Sequence, residues 1–143
     1  MRFVVWLLPV AIFGCGPTLQ QRAQQALTVS ARALTVADAA FAERYDQEAV
    51  RAIATGYQED AAAIMRPWNT AQTAIQAADS TLRAAQSMVD TADAPKAVPC
   101  VLAALSSVVS ALQTVGVTVP AELLAAVRMI GAYWGRCEAE GVR

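Results

Sequence analysis

The stretch WNTAQTAIQAADSTLRAAQSMVD, residues Trp68 to Asp90, decides the fold class of this chain. Trp68, Ile75, Leu82 and Val89 recur every seven residues, and Ala71, Ala78, Ala85 and Ala92 form a second series three positions on. Residues three, four and seven apart share one face of an α-helix. Gln72, Gln76, Asp79, Arg83, Gln86 and Asp90 fall on the opposite face, which is polar throughout. The pattern predicts an amphipathic helix over 69–93 whose seam alternates large residues with Ala, so that a second helix can approach closely. The expected partner is the preceding helix, folded back as an antiparallel hairpin; a second copy of the chain is the alternative.

Upstream, Arg66-Pro67-Trp68-Asn69 reads as a break, because Pro67 lacks an N–H and disfavours α geometry at Arg66. Asn69 is then the expected cap of the 69–93 helix. From Leu19 to Met65 there is no Pro, and Leu27, Leu34 and Phe41 repeat at seven with Ala23, Ala26 and Ala37 beside them. A single long helix over 18–65 is predicted. Thr18 and Gln21 form its capping box. Its stripe shifts through Tyr45, Ala49, Ile53 and Tyr57 to Ile64, a stutter that carries both tyrosines into the core. Gly56 marks a weak point, where the helix kinks or makes a close contact.

Downstream, Asp93-Ala94-Pro95-Lys96 reads as a loop, and Pro99 suits the first turn of a helix over 98–115. Ala97 to Pro120 carries no charge. Two readings fit it, the buried central helix of a bundle or a membrane-spanning segment. Its serines and a short helical length favour the bundle. A last helix is expected over 120–138, with Leu123, Val127, Ile130 and Trp134 on one face. Cys100 and Cys137 lie symmetrically about the turn Gly116–Pro120, so folding back brings them level and predicts a disulfide. Two buried free thiols are the alternative.

Composition agrees with an all-α fold. Of 143 residues, 32 are Ala and only 13 are Gly or Pro. The net charge of −1 gives no basic face for nucleic acid. With no His, the usual general base, the Ser-His-Asp triad and most zinc sites are removed. Glu59 and Asp60 are adjacent, so on a helix they diverge by about 100° and do not form a facing carboxylate pair. No catalytic, cofactor-binding or metal-binding residue is expected, and no small-molecule substrate is indicated.

The N-terminus reads Met1-Arg2, an apolar run from Phe3 to Phe13, then Gly14-Cys15-Gly16-Pro17. As a helix the run spans about 16 Å, short of the roughly 30 Å hydrocarbon core, and it has the form of a signal peptide. Ile12-Phe13-Gly14-Cys15 resembles the lipobox of bacterial or phage-encoded lipoproteins, with Phe13 bulkier than the usual Ala or Ser. The resemblance is limited to residues 1–15. It implies cleavage before Cys15, acylation at that cysteine (diacylglycerol on its thiol, with palmitate-type chains) and a membrane lipid as partner. Gly16 in the next position resembles outer-membrane sorting where a host has two membranes. A plain signal peptide and a buried N-terminal segment are the other readings.

The expectation is a signal segment over 1–14 and one helical-bundle domain over 15–143, of about four helices with a C-terminal αα-hairpin. The protein is expected to be exported, lipid-anchored and periplasm-facing in the cell envelope, acting without catalysis by binding or scaffolding, through a protein partner or self-association. Two alternatives stand beside it. One is a small membrane-embedded protein, such as a phage lysis or superinfection-exclusion factor, using Phe3–Phe13 and Ala97–Pro120. The other is a homo-oligomeric structural subunit using the Trp68–Ala92 stripe.

Overall fold

The structure is a computed structural model, and residues 18–134 are described here. It is an all-α bundle of four helices: α1 (Leu19–Ala54), α2 (Gln58–Ser87), α3 (Ala94–Thr114) and α4 (Ala121–Tyr133), with no strand among the described residues. The chain runs up α1, down α2, up α3 and down α4. Both α1 and α3 touch all three other helices, whereas α2 and α4 do not touch each other. The α1–α3 pair is therefore the spine of the bundle, with α2 and α4 on its two flanks.

Each end has a local cause. The Thr18 hydroxyl accepts from the Gln21 N–H at 3.2 Å, and the Thr18 N–H donates to Gln21 Oε1 at 2.9 Å, completing the predicted capping box. Helix α3 closes in a Schellman motif around Gly116 (φ 74°): Gly116 N–H donates to the Gln113 carbonyl and Val117 N–H to the Leu112 carbonyl. The left-handed backbone there is open to Gly without a Cβ penalty, and Val117 tucks into the core.

The first break falls eleven residues before the expected one. Instead of one helix over 18–65 and another over 69–93, α1 stops at Ala54 and α2 runs unbroken from Gln58 through Pro67. Gly56 takes φ 72° and its N–H donates to the Ile53 carbonyl, while Thr55 Oγ1 donates to the Ala52 carbonyl at 2.7 Å. Glu59 and Asp60 then occupy the first turn of α2, where the helix dipole favours acids. Pro67 is tolerated because it and Ala63, whose carbonyl it deprives of a donor, both face solvent. The next residue, Trp68, is 6% exposed and stacks against Phe41 at 5.7 Å, so continuing the helix buries a large side chain. Asn69 is mid-helix rather than a cap, and its Oδ1 accepts from Tyr45 Oη at 3.2 Å.

Other boundaries shift by about a turn. Helix α2 ends at Ser87 and a turn occupies Met88–Asp93, with Gln20 Nε2 donating to the Val89 carbonyl at 3.4 Å. Helix α3 starts at Ala94 rather than 98, and α4 stops at Tyr133 rather than 138, with Trp134 extended.

The core follows the two heptad series closely. Trp68, Ala71, Ile75, Ala78, Leu82 and Ala85 are buried on α2, facing Ala23, Ala26, Leu27, Leu34, Ala37 and Phe41 on α1. Val98, Val101, Leu105, Val108 and Leu112 fill the centre from α3, and Leu123, Ala126 and Ile130 close it from α4. Ser30 is the buried polar residue here; its hydroxyl donates to the Ala26 carbonyl at 2.7 Å. Helix α3 is long and apolar enough to cross a membrane by length and composition, yet one face is packed into the bundle. Its exposed Ser107, Ser110 and Thr114 turn their hydroxyls back to carbonyls four residues earlier.

Candidate binding surfaces

Helices α1 and α2 are longer than α3 and α4, so their paired ends continue past the four-helix body. No residue of α2 before Trp68 is buried, and beyond Phe41 the one buried residue of α1 is Ala52, which stands apart from the main core. The result is a two-helix tip turning at Thr55–Tyr57. Three large apolar residues are exposed on it: Val50 at 68%, Ile53 at 78% and Tyr57 at 72%. The sequence reading placed Tyr57 in the core. It is instead solvent-facing, because there is no third helix at that height to cover it. Tyr45, lower down, is half-buried and stacks on Phe41 at 5.5 Å. Arg51 lies 3.8 Å from Glu48 on the same tip.

The opposite end, the base, carries the start of α1, the 88–93 turn, the start of α3 and the end of α4. A groove of about 320 Å³ opens there between Arg22, Gln25 and Ala26 on α1 and Met129, Ile130, Tyr133 and Trp134. The Arg22 guanidinium sits over the Tyr133 ring, 6.0 Å from its centroid. Lys96 donates to Asp93 at 2.9 Å, and that hydrogen bond raises the ammonium pKa. The sequence pattern did not single out this groove, since Arg22 and Tyr133 are 111 positions apart and only the fold brings them together.

Cys100 lies half-buried in the lower half of α3, at the base. Cys15 and Cys137 both lie outside the described residues, so the expected lipidation and the Cys100–Cys137 pairing fall there too. Gly131 of α4 faces Leu102 of α3, its Cβ position 3.9 Å from Leu102 Cδ2. That contact places the end of α4 beside the first turns of α3, where Cys100 lies. Among the described residues no group of three His, Cys, Asp or Glu side chains is placed to hold a metal. A wide polar trough between α1 and α2 is lined by Asp38, Asp79 and Arg83, the last two paired at 2.8 Å.

Comparison with known protein families, characterised proteins and solved structures finds no match to this chain.

Proposed function

We propose that this is an exported, lipid-anchored envelope protein that acts by binding or scaffolding, with the α1–α2 tip as its contact surface. The observation that carries this reading is the polarity of the molecule. The lipobox-like Cys15 precedes the Thr18 cap by three residues, so an anchor there holds the base at a membrane. The exposed Val50, Ile53 and Tyr57 sit at the far end of a 36-residue helix, about 54 Å away at 1.5 Å per residue. The exposed Val50, Ile53 and Tyr57 at the tip are apolar side chains of the kind a protein contact covers.

A disulfide between Cys100 and Cys137 belongs to the same reading. Cys100 is half-buried on α3, at the base where α4 ends. Trp134 leaves α4 in an extended conformation near the level of Cys100, and three further residues span up to about 10 Å to Cys137. Oxidation of this kind fits an exported protein.

The test is intact mass after membrane extraction, with Cys15→Ser alongside. The expected wild-type mass begins at Cys15 with added acyl chains, and Cys100 and Cys137 alkylate only after reduction. The variant should leave the membrane on alkaline carbonate extraction. Retention of Cys15→Ser in the carbonate pellet overturns the anchor and favours the membrane-embedded reading, which rests on the length and apolarity of α3.

A further inference from the structure

The groove at the base lies on the anchor side of the molecule. Arg22 and Ala26 are four and eight residues above Thr18, about 6 and 12 Å along the axis of α1. Cys15 is three residues below Thr18, within about 10 Å of it. The headgroup layer of a bilayer leaflet is about 5–8 Å deep. An acylated Cys15 therefore puts the groove within reach of the lipid surface.

The chemistry of the lining suits that surface. Tyr133 is 72% exposed and Met129 42%, and Leu19, 60% exposed, lies about one helical turn below Arg22 on α1. Tyr and Trp rings, with an apolar body and a polar edge, are the side chains favoured at headgroup depth. The Arg22 stem lies along the groove and its guanidinium is a donor matched to a lipid phosphate. In water these residues form an exposed apolar rim beside a cation; against a bilayer each has a matching partner.

We propose that this α1–α4 groove is a lipid-contact surface that seats the body on phospholipid headgroups beside the Cys15 anchor. The phosphate faces Arg22. The upper carbons of the acyl chains lie against Leu19, Met129 and the rings of Tyr133 and Trp134. The inference rests on the lipid-anchor reading and adds an orientation to it: the body is held base-down, with the α1–α2 tip directed away from the membrane.

The experiment uses the membrane-extracted protein, beginning at Cys15 and so without Trp6, reconstituted into vesicles of phosphatidylcholine brominated along its acyl chains. Flotation reads the anchor and tryptophan quenching reads the groove. Trp134 should be quenched at least severalfold more than Trp68, which is buried in the body and serves as an internal reference. Trp134→Phe should float equally and lose the quenchable component. Met129→Asp, at an exposed position, should float with unchanged helicity and reduced quenching. Protein that floats with Trp134 unquenched overturns the groove and leaves the anchor standing. Protein that does not float overturns both. Strong quenching of Trp68 overturns the base-down orientation, because it puts the body within the bilayer.

Discussion

The body and the tip are built from the same two helices, yet they are held together by different physics. In the body, the inward stripe of α1 is covered by α2, α3 and α4, and Leu27, Leu34 and Phe41 are all nearly inaccessible. In the tip the apolar pattern of α1 continues through Val50 and Ile53, but α3 and α4 have already turned. A hydrophobic stripe becomes core only where neighbours reach it. Two helices that bury little beyond Ala52 gain too little to offset their conformational entropy unaided. The tip depends on the body for its order and is the less stable region.

The sharpest way to break that contrast is paired truncation. Leu105→Ala, at a 1% exposed position central to α3, should cost about 2–5 kcal/mol in urea unfolding. Ile53→Ala should change the unfolding free energy by less than about 0.5 kcal/mol. Equal costs would show that the tip is packed like the body. Amide exchange should agree, with residues 43–65 opening well before 71–85.

Pro67→Ala tests the boundary between the regions. Restoring an N–H to the Ala63 carbonyl should stabilise α2, by at most the roughly 3 kcal/mol that an interior proline costs, less the unfolded-state entropy that proline removes. A lower melting temperature would mean that Pro67 holds a bend the tip needs.

Two smaller effects compare the turns and the base. Gly116→Ala places a Cβ on a left-handed backbone beneath the buried Val117 and should cost about 1–2 kcal/mol of global stability. Gly56→Ala carries the same strain at φ 72°, but in the tip it is relieved by local fraying, so its effect on global unfolding should be the smaller. Thr18→Ala removes the cap of α1 and should cost about 1 kcal/mol, seen first as fraying of the base in amide exchange.

Much of the bundle was legible in one dimension. The heptad series from Trp68 to Ala85 and from Ala23 to Phe41 named the buried faces of α1 and α2, because burial on a helix follows a fixed angular period. The capping box at Thr18 and the glycine turn after α3 could be read the same way, being local hydrogen-bond chemistry. Pro67 and Gly56 were ranked in the wrong order. Proline has the larger intrinsic cost in a helix, but that cost falls on a solvent-facing carbonyl, whereas Gly56 adopts a left-handed conformation that ends α1 outright. The candidate surfaces were less visible still. The Tyr57 stripe looked like core because its spacing says which face a residue occupies and nothing about how tall the neighbouring helices are.

Local periodicity, capping and composition were enough to establish an all-α chain and the inward face of each helix in the body. Those properties depend on contacts within a few residues along the chain. The exposure of Val50, Ile53 and Tyr57, the passage of α2 through Pro67 and the meeting of Arg22 with Tyr133 came from packing. Each depends on which helix stands beside which and where it stops, and those are relations between residues far apart in the chain.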